Sequence, residues 1–152
     1  MRRIGITGGI GSGKSVVSRL LRIMGYSVYD TDSEAKRLME SSLEVVQKLS
    51  ECFGRDIYHN GRLNRGLLSS RVFGESDKIV LLNSIVHPVV RFDFYRWSES
   101  LNEEICFVES AILYESRFDE LVDEVWTVTA PEELRIGRVR QRSGLTEEEI
   151  KK

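Results

Sequence analysis

The most constraining feature of this chain is a glycine-rich stretch near its start, Gly8-Gly9-Ile10-Gly11-Ser12-Gly13-Lys14-Ser15. A short apolar run, residues 3–7, precedes it, and a helical pattern of apolar residues follows it. Glycines can adopt backbone angles closed to other residues, so such a loop can direct several N–H groups at one anion. The pattern therefore predicts a strand, a phosphate-binding loop and a helix, in that order.

Two side chains of this stretch suit the chemistry of a nucleoside triphosphate. Lys14 adds a positive charge that can reach the terminal phosphates, and the Ser15 hydroxyl can bind a magnesium ion. The positive end of the following helix also favours an anion at this position. A glycine-rich turn without a ligand would explain the bend but not the positions of Lys14 and Ser15. We therefore predict nucleotide binding with Mg²⁺ as the cofactor.

Length, charge and cysteine content narrow the class of protein. The 152 residues suit one domain, and a net charge of −2 argues against bulk electrostatic binding of nucleic acid. The few apolar residues before the loop are too short for a signal peptide, and no run approaches membrane-spanning length. Cys52 and Cys106 lie far apart without a neighbouring His, which predicts reduced thiols. We expect a cytoplasmic protein without membrane or nucleic-acid partners. The sequence leaves its oligomeric state open.

Hydrophobic periodicity predicts alternating strands and helices. We expect strands at residues 3–7, 26–30, 105–109 and 124–129, the last two as central strands, with turn chemistry at 55–75. We expect helices at residues 14–24, from 31 up to Gly54, at about 76–86, at about 88–102 with Pro88 at its start, and after Pro131. The alternation predicts a parallel α/β sheet with a helical excursion at about 55–100.

Acidic residues end the predicted parallel strands, where α/β sheets hold their ligands. Asp30 and Asp32 follow the second strand, Glu109 ends the third, and Glu115 lies shortly after it. A carboxylate here can accept a hydroxyl proton or hold magnesium through water. Alternatively, Asp32 and Glu34 only stabilise a helix N-terminus, by about 0.3–1 kcal/mol each. The residues alone leave both interpretations open.

Arginines of the last predicted helix form a second candidate group. Arg138 and Arg142 lie four residues apart, on one side of the helix, where their guanidinium groups could bind phosphate oxygens. Phosphoryl transfer needs more positive charge than Lys14 alone supplies. A solvent-exposed helix face is the alternative for Arg135 and Arg142. His87 is interpreted as a packed, hydrogen-bonded residue at a helix junction.

Several segments taken together resemble the dephospho-coenzyme A kinase family. They are the loop TGGIGSGKS at 7–15, Asp30-Thr31-Asp32 with Ala35-Lys36, Asn60–Arg65, Leu82–Pro88 and Glu109–Glu115. Their order and spacing match along essentially the whole chain. The loop alone is shared by many nucleotide-binding proteins, whereas its combination with the His-Pro and Leu-Tyr-Glu segments is far more specific.

This resemblance implies a fold and a reaction. The fold is a P-loop NTPase three-layer α/β sandwich with a parallel sheet, a helical acceptor-binding insertion and a lid region. It implies a single kinase domain over residues 1–152, with a core at 1–54 and 104–152 and an acceptor-binding lobe at about 55–103. The reaction transfers the γ-phosphoryl group of ATP to the ribose 3′-hydroxyl of dephospho-coenzyme A, the final step of coenzyme A biosynthesis.

The resemblance also assigns roles to individual residues. Asp32 is the candidate base, and Lys14 and Arg138 are the other catalytic candidates. Acceptor binding is implied for Asp32, Arg65, His87 and Glu109, and Mg²⁺ binding for Ser15, with Glu109 acting through water. The implied ATP-binding residues are Gly8, Gly9, Gly11, Ser12, Gly13, Lys14, Ser15, Val16 through its amide, and Arg142.

The chain departs from the family pattern at several positions. Val16 stands where Thr is usual, Lys36 replaces an Arg, and Glu109 and Ala111 replace an Asp and a Pro. A capping box that begins at Thr146 predicts a helix of which the chain contains barely one turn. We interpret this as a chain that lacks the C-terminal part of the family fold.

Two other functions stay open at this stage. A kinase of another small acceptor, such as a nucleoside monophosphate, would use the same loop and sheet. A nucleotide-binding fragment without turnover would follow from a missing C-terminal region.

Overall fold

The protein's structure, a computed structural model, describes residues 1–144, apart from the side chain of Arg142. These residues form two compact units. The sheet unit contains Met1–Asp30 and the chain from Leu101, and the helical unit contains Thr31–Ser100. The helix predicted to begin near Thr146 lies outside the described residues.

The sheet unit contains the strands and helices that the periodicity predicts, whereas the 55–75 region, expected as turns, contains two short strands and a helix. The strands are β1 (Arg2–Thr7), β2 (Val28–Asp30), β3 (Tyr58–His59), β4 (Arg62–Leu63), β5 (Ile105–Glu109) and β6 (Glu124–Thr127). The helices are α1 (Lys14–Ile23), α2 (Thr31–Ser41), α3 (Leu43–Phe53), α4 (Arg65–Val72), α5 (Ser76–Ser100) and α6 (Glu132–Ser143).

The sheet unit is built on four parallel strands in the order β2-β5-β1-β6, which confirms the predicted parallel sheet. Ile4 and Ile6 of β1, Phe107 of β5 and Leu21 of α1 form one buried cluster. Strands covered on both faces need apolar side chains on each, which explains the nearly continuous apolar run of β5. The carboxyl ends of β1, β2 and β5 therefore lie at the same edge of the sheet.

The expectation that both late strands are central is correct for β5 and wrong for β6. Within residues 1–144, β6 pairs with β1 alone and forms an edge of the sheet. Trp126 on this strand is 40% exposed. A short run of β-branched and aromatic residues suits an edge strand as well as a central one, so composition could not decide between them.

In the helical unit, the single helix predicted from residue 31 up to Gly54 is instead two helices. Ser42 separates α2 from α3 with an extended backbone, φ −84° and ψ 113°, and its side chain accepts a hydrogen bond from the Val45 N–H group. This is an N-cap, and it satisfies an amide that has no partner inside the helix. The apolar periodicity continues across the break, so the sequence pattern predicts one helix where the structure has two.

The two helices predicted on either side of residue 87 are one continuous helix, α5, with Pro88 in its interior. Proline removes a helical hydrogen bond and costs about 3 kcal/mol in such a position. Val86, Val90 and Phe94 are buried at four-residue spacing on one face, so the same packing surface continues past the proline. The burial of these side chains offsets the free energy that the helix loses at Pro88.

The helical unit begins at Thr31 and so includes α2 and α3. The reason is packing, because α2 and α3 lie against α5. Leu38, Val45 and Leu49 of these two helices are all buried. Among residues 1–144, no helix combines the length and the apolar character that a membrane span requires.

Candidate nucleotide-binding site

The phosphate loop, residues 8–13, connects β1 to α1 as the sequence predicts. Gly11 and Gly13 adopt left-handed backbone angles, with φ +75° and +101°. The Ser12 N–H group donates to the Gly9 carbonyl at 3.1 Å, which closes the turn. Gly13 is the N-cap residue of α1, so the first amides of that helix have no partner within it. The loop and the helix end thus combine the features of an anion site.

Gly11 could not be replaced by a residue with a side chain without disturbing α6. A Cβ atom at this position would lie 2.6 Å from the carbonyl oxygen of Arg135, and the left-handed backbone would be strained in addition. The backbone of α6 therefore lies directly against the loop.

Lys14, Ser15 and Glu109 meet at the carboxyl edge of the sheet. Glu109 Oε1 lies 2.9 Å from Lys14 Nζ and 3.2 Å from Ser15 Oγ. The lysine and glutamate side chains are only 14% and 8% exposed. A buried ion pair offsets the cost of removing both charges from water only when its geometry is good and further hydrogen bonds are made, and Ser15 supplies one of these. Phosphate must therefore compete with Glu109 for Lys14.

A cavity of about 480 Å³ opens beside the loop. Its size is within the range of small-molecule sites. The Ser12 hydroxyl, buried in its wall, has no hydrogen-bond partner among the described residues. The cavity is lined by Gly9, Gly11, Ser12, Gly13, Lys14, Ser15, Val16, Val17, Val128, Arg138 and Gln141. It thus brings together most of the residues predicted to bind ATP.

Arg138 reaches the loop from α6. Its Nη1 atom donates to the carbonyl oxygens of Gly11 at 3.0 Å and Ser12 at 3.2 Å, and its side chain lines the cavity. The prediction of phosphate contacts for this residue stays a prediction, since here the guanidinium group binds backbone carbonyls. The side chain of Arg142 lies outside the described residues.

Arg135 is the residue that sequence reasoning missed. It is half-buried, and its Nε atom donates to the Ile10 carbonyl at 3.0 Å. The sequence carried a signal that could have found it. Arg135 precedes Arg138 by three residues, and side chains at this spacing share a face of a helix.

Asp30 and Glu109, two of the predicted acidic residues, are far apart in sequence but lie side by side in the sheet. Asp30 is in register with Glu109 in the paired strands β2 and β5. Asp32 follows two residues later, exposed in the first turn of α2 within the helical unit. Among the described residues, no group of three or more His, Cys, Asp and Glu side chains forms a ready metal site. Any metal would need oxygens from a ligand or water to complete its coordination.

The two remaining acceptor-site candidates belong to the helical unit. Arg65 begins α4, and its Nη2 atom lies 3.3 Å from Glu40 Oε1. His87 is half-buried in α5, and burial lowers the pKa of its imidazole, which favours the neutral ring at pH 7. The half-buried ring fits the packed position predicted for His87, but the residue lies inside a continuous helix and not at a helix junction.

Comparison with known proteins identifies the family. The sequence profile of dephospho-CoA kinase matches residues 2–152. The chain belongs to the dephospho-CoA kinase family. Two relatives that carry this name show how close the similarity is. The Porphyromonas gingivalis protein is 46% identical over 99% of this chain and 75% of its own length. The Corynebacterium diphtheriae protein is 41% identical over 99% of this chain and 78% of its own length.

Solved structures agree with the family fold. A Thermus thermophilus protein has a TM-score of 0.80 and 38% identity, over 98% of this chain and 76% of its own. Dephospho-CoA kinase from Campylobacter jejuni has a TM-score of 0.71 and 23% identity, over 99% and 78% of the two chains. Shikimate kinase from Acinetobacter baumannii is more distant, with a TM-score of 0.52 and 18% identity over 93% and 64%. The last two bear on the fold alone, and together they confirm the predicted α/β fold class.

Proposed function

We propose that this chain transfers the γ-phosphoryl group of ATP to the ribose 3′-hydroxyl of dephospho-coenzyme A, giving coenzyme A and ADP. Dephospho-CoA kinases catalyse the last step of coenzyme A biosynthesis. The observation that carries the proposal for this chain is the cluster of Lys14, Ser15 and Glu109 beside the phosphate loop. It joins a cation, a hydroxyl and a carboxylate at the position where a kinase holds the transferred group.

ATP binding is assigned to the loop and the start of α1. The amides of the loop and of Val16 would hold the phosphates, although the Val16 N–H group donates to the Gly13 carbonyl in this structure, at 2.9 Å. Lys14 would leave Glu109 and bind the terminal phosphates. The Arg138 guanidinium group would leave the carbonyls of Gly11 and Ser12 and bind phosphate oxygens instead. Arg142 is proposed as a further phosphate ligand. Gly8, Gly9, Gly11, Ser12 and Gly13 complete the proposed ATP-binding set.

An ATP-dependent kinase requires a divalent metal cation in general, and we propose that it is Mg²⁺ here. The Ser15 hydroxyl would hold it directly and Glu109 through water, since hard oxygen donors suit this ion. When bound, the ion neutralises charge on the phosphates during transfer. Ser15 Oγ and Glu109 Oε1 are 3.2 Å apart, so both oxygens can serve one ion with its water.

Replacing Glu109 with glutamine tests this assignment. We expect metal-free ATP to bind more tightly, because the variant lacks the carboxylate that competes with phosphate for Lys14. We also expect the Mg²⁺ concentration for half-maximal activity to rise by about tenfold, because the outer metal ligand loses its charge. Titration of ATP with and without Mg²⁺ measures both effects. Glu104→Gln, an exposed position just before β5, is the control. Unchanged Mg²⁺ dependence in Glu109→Gln would remove the metal role.

Acceptor chemistry is assigned to the helical unit and to Glu109. Asp32 would accept the proton of the 3′-hydroxyl while that oxygen attacks the γ-phosphorus and ADP leaves. Arg65 and His87 would contact the acceptor. We propose that the sheet unit is the ATP-binding core and that the helical unit contributes the acceptor lobe. A cytoplasmic location is also proposed, because Cys52 and Cys106 are both free thiols.

An acceptor screen that follows ADP release tests the whole proposal. With ATP and Mg²⁺, dephospho-coenzyme A should give ADP and a product heavier by one phosphoryl group, and reactions without an acceptor should give neither. A preference for a nucleoside monophosphate would favour another small-molecule kinase. ATP binding by calorimetry without any product would favour a binding fragment. Either result would overturn the proposed reaction.

A further inference from the structure

Arginine side chains of helix α6 donate hydrogen bonds to backbone carbonyl groups of the phosphate loop. Arg135 Nε donates to the Ile10 carbonyl at 3.0 Å, next to the carbonyls that Arg138 binds. The Arg135 guanidinium group also covers Gly9, where an added Cβ would lie 2.7 Å from Nη2. Three successive carbonyls of the loop, at residues 10–12, are thus bound by two arginines of one helix.

Hydrogen bonds to the loop carbonyls affect how the loop presents its N–H groups to an anion. An anion-binding loop must turn its N–H groups toward the ligand, which leaves carbonyl oxygens on the other side of its peptide planes. Donors bound to those carbonyls hold the planes in that orientation before the ligand arrives. A loop ordered in advance binds with a smaller loss of conformational entropy.

The two arginines differ in their access to the ligand. Arg138 lines the cavity, whereas Arg135 is not among the lining residues. Arg135 is half-buried, and its backbone lies against Gly11, where an added Cβ would be 2.6 Å from its carbonyl oxygen. We therefore expect Arg135 to act on the nucleotide through the loop.

We propose that Arg135 is a positioning residue that preorganises the phosphate loop for ATP. It keeps its contact with Ile10 in the empty and the nucleotide-bound protein, while Arg138 is free to turn to the phosphates. The proposal rests on the proposed function, in that ATP is the ligand of the loop.

The test compares ATP binding by calorimetry and steady-state kinetics in three variants of the full chain. Arg135→Ala removes the contact, Arg135→Lys keeps the charge without the planar fork, and Arg140→Ala removes an exposed arginine of the same helix as a control. We expect the Kd and KM for ATP to rise by about fivefold to tenfold in Arg135→Ala, the effect of losing one hydrogen bond from a charged donor. Arg135→Lys should be intermediate and Arg140→Ala within about twofold of the parent.

A second readout separates positioning from general stability. Amide hydrogen exchange at residues 9–13 should become faster in Arg135→Ala, while exchange in β1 and β5 and the KM for dephospho-coenzyme A stay unchanged. If Arg135→Ala does not fold, Arg135→Lys provides the same comparison. An unchanged Kd for ATP in a folded Arg135 variant would overturn this inference, and so would an equal loss of ATP affinity in Arg140→Ala. Either result would leave the proposed function standing. If the parent chain does not bind ATP, the proposed function fails and the inference fails with it.

Discussion

Replacing Lys14 with alanine should lower kcat by about a thousandfold or more, the largest effect expected of any single side chain here. Lys14 supplies a positive charge in the cavity wall, and Arg138, which also lines the cavity, would have to leave the carbonyls of Gly11 and Ser12 to replace it. The decrease should be seen at saturating ATP and dephospho-coenzyme A, measured as ADP release. Lys48→Ala, which removes an exposed lysine paired with Glu44, serves as the control and should leave kcat unchanged.

The same substitution should also reduce stability, because it leaves the buried Glu109 carboxylate without its cation. Breaking a buried ion pair on one side costs about 3 kcal/mol in the free energy of unfolding. The double variant Lys14→Ala with Glu109→Gln should recover most of that stability and none of the activity. Urea unfolding and ADP release distinguish the two effects. Substantial turnover by a folded Lys14→Ala variant would contradict the assigned role of the lysine.

Replacing Asp32 with asparagine should lower kcat by about 10²–10⁴-fold and leave the affinity for ATP within about twofold of the parent. Asparagine has nearly the same shape but cannot accept the proton of the 3′-hydroxyl. Asp32 lies in the helical unit, outside the phosphate loop, so ATP binding should be preserved. Single-turnover formation of coenzyme A, together with calorimetric ATP binding, measures the two quantities separately.

Asp77→Asn is the matched control, because Asp77 is also exposed in the first turn of a helix. If Asp32 only stabilises the start of α2, both substitutions should cost a similar, small amount of stability and leave kcat unchanged. That result would remove the base assignment. A large fall in kcat for Asp32→Asn alone would separate catalysis from helix stabilisation.

The limits of sequence-based prediction in this chain have identifiable causes. The strand, loop and helix around residues 3–24 follow from local signals, because the glycines and the apolar spacing act over a few residues. The break at Ser42 and the continuous helix through Pro88 do not, because both depend on which faces are buried. The edge position of β6 likewise depends on strand order, which periodicity does not encode.

By itself, the sequence determined the phosphate loop, the parallel α/β class and the family. The loop and the fold class follow from local residue patterns, and the family follows from the order and spacing of several motifs. Only the tertiary structure decided which side chains meet. Lys14 and Glu109 are 95 residues apart, and the parallel pairing of β1 with β5 brings them within 2.9 Å. The sequence left an exposed helix face open for Arg135, and only the packing of α6 against the loop places its guanidinium group on the Ile10 carbonyl. Strand register and helix docking arise from long-range packing, which short-range spacing cannot express.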